Sequence, residues 1–168
     1  MEVKSAIRAR RSIRRYKRKE MSNKVLEHLL EMARAAPSGA NRQPWELVVV
    51  TDRQRLKGVV PICKEQSLLA DCAAFIVGVD DPRQKWAKMD LTMALDHITL
   101  ASVEKGMGSC WIGAFDHDLM TEYVGLPKDR KATVCLALGY PDERPAARSR
   151  KKAEELISWD RYGARDRP

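Results

Sequence analysis

Two short segments of this chain carry residue types suited to binding chemistry. The first is Arg10-Arg11-Ser12-Ile13-Arg14, with three cations and a hydroxyl in five residues. Guanidinium groups meet phosphate oxygens through paired hydrogen bonds, and a neighbouring hydroxyl adds one more. In an extended segment Arg10, Ser12 and Arg14 alternate onto one side. The second is Ala36-Pro37-Ser38-Gly39-Ala40-Asn41-Arg42-Gln43-Pro44-Trp45, a polar turn-forming stretch between an apolar helical pattern and a strand-like run. Ser38, Asn41 and Gln43 offer donors and acceptors to the edge of a flat polar heterocycle, and Gly39 permits close backbone approach. A segment for a phosphate beside one for a heterocycle points to a bound phosphorylated cofactor. Each segment alone also reads more plainly, as a solvated basic arm and as an ordinary helix-to-strand loop.

A third stretch, Gly108-Ser109-Cys110-Trp111-Ile112-Gly113-Ala114-Phe115, could present backbone N–H groups to a ligand or serve as an apolar connector. It is not a dinucleotide fingerprint, because Trp111 stands where the third glycine would be and the segment follows a helix. His28, His97 and His117 have no metal-ligand spacing, no serine sits in a nucleophile elbow, and Trp86 and Trp159 read first as packing residues. Cys63, Cys72, Cys110 and Cys135 are scattered and form no Cys-x-x-Cys pair, so neither a disulfide framework nor a zinc site is expected.

The elements that must position these residues follow from periodicity. Val3 to Ala9 suits a first helix. Ser22 is a good N-cap for a helix carrying Val25, Leu26, Leu29, Leu30 and Ala33, which Pro37 and Gly39 terminate. Residues 46–51, 75–79 and 133–139 read as strands, the second apolar enough to be buried on both faces. Short helices are expected from Asp52, over 64–71, from Asp116 to Val124 and around 153–157. Residues 86–105 form a long helix that is apolar over much of its circumference, which suits a central or interface position.

At 168 residues, 44% hydrophobic and 32% charged, the chain is one globular domain, 1–168. It has no membrane-length apolar run and no signal-like stretch, so the expected compartment is the cytoplasm. Residues 1–19 hold nine Lys/Arg against one Glu, and residues 144–168 hold eight against four acidic residues. The body between them has 14 basic and 18 acidic residues. Two basic ends can converge on one anion, or can act as arms on nucleic acid, although the body lacks a basic face.

Taken together, Ala6-Ile7-x-x-Arg10-Arg11-Ser12-Ile13-Arg14-x-Tyr16, Ala35 to Trp45, Gly108 to Phe115, Leu138-Gly139-Tyr140-Pro141 and Arg150-Lys151 resemble the FMN-dependent nitroreductase family, in the family's order and over Lys4 to Gly163. The resemblance implies an α+β fold, a nitroreductase-like α/β sandwich with a small mixed sheet flanked by helices, paired as an intertwined homodimer with FMN at the interface. It implies that Arg10, Ser12 and Arg14, with Arg11 close by, hold the FMN phosphate and ribityl chain, joined by Arg150 with Lys151 or Arg148. Pro37, Ser38, Gly39, Asn41 and Gln43 of the other subunit would meet the isoalloxazine ring, and the Gly113 N–H would lie near flavin N5. The implied activity is ping-pong hydride transfer from NAD(P)H to a nitroaromatic, quinone or similar small-molecule acceptor, with no side chain as an essential acid or base. One departure stands out. Family members often carry asparagine before a Gln-Ser-Phe-like run, whereas this chain has Glu65-Gln66-Ser67-Leu68, so Gln66 is the expected substitute. The alternatives are a basic nucleic-acid-binding protein using residues 4–19, and a flavin-binding protein without turnover.

Overall fold

The computed structural model describes residues 1–167. The elements in order are α1 (Val3–Ala9), β1 (Tyr16–Lys17), α2 (Asn23–Arg34), β2 (Trp45–Val50), α3 (Arg53–Ile62), β3 (Ala74–Asp80), α4 (Ala87–Glu104), β4 (Gly108–Ile112), α5 (His117–Val124), β5 (Lys131–Pro141) and α6 (Ala153–Leu156). Gly39–Asn41 and Ser67–Ala70 are single 3₁₀ turns. The helix starts follow the expected caps. The Ser22 hydroxyl accepts from Val25 N, Asp52 accepts from Arg55 N at 2.8 Å, and Asp116 accepts from Asp118 N and Leu119 N.

β5 is the spine of the sheet. Its 131–138 stretch pairs with β3, its other side takes β4 along Cys135–Gly139, and its end takes β1 at Tyr140 and Pro141. β2 flanks β3. β5 runs against β3, β4 and β1, and β2 runs against β3, so every named pairing is antiparallel and the expected mixed sheet is corrected on this point. The parallel contact is a lone bridge between Ser12 and Ser109.

Helices cover both faces. α2 and α4 bury Leu29, Ala33, Leu91, Leu95 and Ile98 against Ile76, Leu136 and Leu138. On the other face α3 and α5 bury Leu56, Val59, Ile62 and Met120 against Phe75, Val77 and Cys135. Every residue of β3 is buried, as its unbroken apolar run predicts for a strand covered on both faces. Three elements differ from the sequence expectation, the first being the short strand β1 at Tyr16–Lys17. Residues 108–112, open between connector and ligand loop, form strand β4, and the expected helix over 64–71 contracts to one turn.

α4 buries Leu91, Ala94, Leu95 and Ile98 but leaves Met89 and Met93 exposed, in line with the exposed Trp86 at its N-cap. Val3 and Ile7 of α1 are also exposed. Among the described residues, no helix is long and apolar enough to cross a membrane.

Candidate functional site

The arginine segment is held extended against β4. α1 ends at Ala9, although Arg10 N still donates to the Ala6 carbonyl at 2.9 Å. Ile13 N then donates to the Ser109 carbonyl at 2.9 Å. Ile13 turns inward and is buried, so its neighbours Ser12 and Arg14 point away from the core. The chain beyond β5 ties the segment from the other side. The Glu143 carboxylate accepts from Arg14 N and, at 3.1 Å, from Arg15 N. Arg15 and Asp142 exchange further backbone and side-chain bonds at 2.9 and 3.0 Å.

Arg11 behaves differently from its neighbours. Its guanidinium turns back to donate to the carbonyls of Arg8 and Arg10 at 2.6 and 2.8 Å. Those are carbonyls at the α1 C-terminus, where a cation also meets the negative end of the helix dipole.

The two basic ends converge. A cavity of about 400 Å³ is lined by Arg8, Arg10, Arg11, Arg14, Arg148 and Arg150, with Ser12 among them and no carboxylate. Arg148, one of the two alternatives the sequence offered beside Arg150, lines the cavity, and Arg8 is an addition to the sequence-derived set. Arg8 sits inside a helix, where it reads as an ordinary surface residue. Lys151 is exposed and does not line the cavity.

The Pro37–Gln43 loop is built to hold a fixed shape. Ala40, Asn41 and Gln43 have φ of 49°, 54° and 50°, in the left-handed region that non-glycine residues rarely enter. Internal bonds hold the shape. Gln43 N donates to Ser38 Oγ at 3.1 Å, and Gln43 Nε2 donates to Asn41 O and Oδ1 at 3.0 and 3.2 Å. Gly39 N lies 3.2 Å from each Asp90 carboxylate oxygen. Asp90, 3% exposed on the first turn of α4, was not among the residues singled out by sequence. The available signal was a carboxylate among the apolar positions of that helix.

The loop and the arginines meet opposite ends of α4. Gly39 touches Asp90 and packs on Trp86, whereas Arg10 and Arg11 share a cavity wall with Ser102, Val103 and Gly106. At 1.5 Å per residue the helix carries Asp90 about 18 Å from Ser102. None of Pro37, Ser38, Gly39, Asn41 and Gln43 lines the arginine cavity of the same chain.

Gly113 is exposed just past β4, with nothing within 4 Å of the position a Cβ would take. Beside it, Gln66 Nε2 donates to Ala114 O at 3.2 Å and Cys63 O at 2.9 Å. Lys64 and Glu65 have φ of 56° and 57°, a tight turn that brings Gln66 rather than Glu65 against the 113–114 loop.

Nucleophilic chemistry has little support. All four cysteines are buried, Cys63 included. Burial pushes the Cys63 and Cys72 thiols up to about 12 and raises Cys110 and Cys135 as well. Such thiols carry almost no thiolate at neutral pH. Among the described residues, no cluster of His, Cys, Asp and Glu could hold a metal ion.

Comparison with known proteins agrees with this architecture. The family model for the nitroreductase family matches residues 7–79 and 61–140. A relative from Archaeoglobus fulgidus, named for NADH dehydrogenase and NAD(P)H nitroreductase activity, is 32% identical over 152 residues. That match covers 84% of this chain and 87% of the relative. An FMN-dependent nitroreductase from Clostridium difficile R20291 superposes with a TM-score of 0.86 at 24% identity, covering 94% of this chain and 99% of its own. The NADPH:FMN oxidoreductase of Vibrio harveyi, solved with NAD⁺, superposes with a TM-score of 0.89 at 21% identity, covering 95% and 77%. These two likenesses concern the fold, while the family model and the archaeal relative settle the affiliation: the chain belongs to the nitroreductase family.

Proposed function

We propose that the protein is an FMN-dependent oxidoreductase that works as a homodimer, takes electrons from NAD(P)H and delivers them to a nitroaromatic, quinone or similar small acceptor. The observation that carries the reading is the convergence of both chain ends on one carboxylate-free arginine cavity. A phosphomonoester, with its nearly full double charge, fits that donor set. Arg10, Ser12, Arg14 and Arg150 hold the phosphate and ribityl chain, with Arg11 beside them and Lys151 outside the cavity wall. Gly113 supplies a backbone N–H where no side chain obstructs approach. FMN held there would supply the two-electron chemistry of a ping-pong cycle between NAD(P)H and the acceptor.

Two observations support the homodimer. The loop residues and the arginines stand at opposite ends of α4, so one flavin meets both sets only across two copies. The exposed apolar residues Val3, Ile7, Trp86, Met89 and Met93, together with Leu156 and Ile157 near the C-terminus, supply surface for such a pairing. In that arrangement Pro37, Ser38, Gly39, Asn41 and Gln43 of one copy contact the ring held by the other. The protein's task is positioning: arginines fix the charged end, the strained loop fixes the ring edge, and no side chain acts as an essential acid or base.

The test is the visible absorption spectrum of freshly purified protein, with the released chromophore identified and the solution mass measured. Bound FMN on a dimer is expected. A colourless protein that takes up no added FMN overturns the reading and turns attention to nucleic acid as the partner of the arginines.

A further inference from the structure

The arginine cavity holds more positive charge than one phosphate group uses. A phosphomonoester has three terminal oxygens and a charge near −2, and two guanidinium groups with a hydroxyl satisfy it. Arg10, Arg14 and Ser12 already meet that requirement, the Arg11 guanidinium is engaged by the carbonyls of Arg8 and Arg10, and that of Arg150 also donates to the carbonyls of Arg148 and Ser149. Arg8 and Arg148 remain. Both are exposed, both line the same cavity, and neither side chain has a hydrogen-bond or ion-pair partner among the described residues. Where a carboxylate lies within reach, exposed arginines of this chain pair with it, as in Arg34–Glu31 at 2.6 Å and Arg83–Asp81 at 2.8 Å. Grouped unpaired cations repel one another, and a second anionic group relieves that repulsion.

We infer that Arg8 and Arg148 select the phosphorylated nicotinamide dinucleotide, so that NADPH is used in preference to NADH. This rests on the flavin-dependent reading above. The two donors differ by one phosphomonoester on the adenosine ribose, and a dianionic monoester is the group that two free guanidiniums hold best. The diphosphate common to both donors carries a single charge per phosphorus and gives these arginines no basis for discrimination.

The experiment uses the FMN-loaded protein and compares kcat/KM for NADPH and NADH at low and high NaCl, with FMN content per chain measured in parallel. NADPH is expected to be favoured at least about tenfold at low salt, the order of effect of one charge-assisted contact, and the advantage shrinks as salt rises. In Arg8→Ala and Arg148→Ala the NADPH-to-NADH ratio falls several-fold. On the unmodified enzyme, 2′,5′-ADP is expected to compete with the donor about tenfold more tightly than 5′-AMP, a readout that needs no variant to fold. A ratio near one in the flavin-loaded enzyme, equal competition by the two nucleotides, or a ratio unchanged in both variants overturns the inference and leaves the flavin reading standing. Release of FAD instead of FMN also overturns it, because the flavin's own second phosphate would then engage the spare arginines. A protein that takes up no flavin removes both readings together.

Discussion

Ile13 occupies the space that a side chain at position 108 would need: a Cβ added to Gly108 would lie 2.3 Å from Ile13 Cγ1 and 2.8 Å from Ile13 Cβ. The contact lets the 10–14 segment lie flat on β4, with Ile13 inward and Ser12 and Arg14 outward. Gly108→Ala is therefore expected to push the segment off the strand, at an overpacking cost of about 1–3 kcal/mol. Urea unfolding measures the loss, and flavin titration should show weakened binding in the same variant. Unchanged stability would mean that the segment is not seated on β4 through this contact.

The proposed phosphate binding rests on Arg10 and Arg14, whose guanidinium groups pair with no carboxylate among the described residues. Replacing both by alanine removes two charge-assisted contacts of about 1.5–3 kcal/mol each, so FMN affinity should fall at least about a hundredfold. Fluorescence titration of the apoprotein measures this. An unchanged affinity contradicts the assignment.

Asp90 anchors the strained loop through the Gly39 N–H. Asp90→Ala leaves that donor without its partner and frees a loop with three left-handed residues, and a loss of about 1–3 kcal/mol is expected. Asp90→Asn keeps one acceptor oxygen and should lose less. The rate of flavin reduction by NAD(P)H in stopped flow should fall in the same order, because the loop shapes the ring environment. Equal behaviour of the two variants would show that the contact does not hold the loop.

The buried thiols give a pH dependence of known sign. Cys63 and Cys72 are raised from the ordinary thiol value of 9.0 to about 12, so the native state keeps protons that the unfolded chain releases. Their contribution is complete below pH 9 and is lost as pH climbs from 9 towards 12. Chemical denaturation across that range should show stability declining, and a thiol reagent at pH 8 should label the folded protein far more slowly than the unfolded one. Rapid labelling of the native protein would show that these thiols are not enclosed.

Much of the fold was legible because it is written locally. Ser22, Asp52 and Asp116 mark helix starts by chemistry within three residues, and Phe75 to Val79 declares a doubly covered strand by its own composition. β4 was not legible. Gly108, Ser109 and Cys110 have weak strand preference, and the strand exists through its pairing with β5 some 27 residues later, at Ile112–Cys135 to Gly108–Gly139. The candidate site divides in the same way. Its arginines and loop were visible as motifs. The Glu143 bond to Arg14, 129 residues away, and the Asp90 bond to Gly39, 51 residues away, depend on the folded arrangement alone.

The placement of the arginines and the loop at opposite ends of α4 has a genetic consequence. In the two-fold pair proposed above, each site would take its cations from one chain and its loop from the other. A chain crippled at Arg10 and Arg14 and a chain crippled at Asn41 would each be inactive as a pure preparation. Co-expressed, they form mixed pairs in which one site inherits both defects and the other inherits neither. Random assortment gives mixed pairs in half of the population, so about a quarter of full activity should return. Two damaged copies of the gene would then complement each other inside one cell.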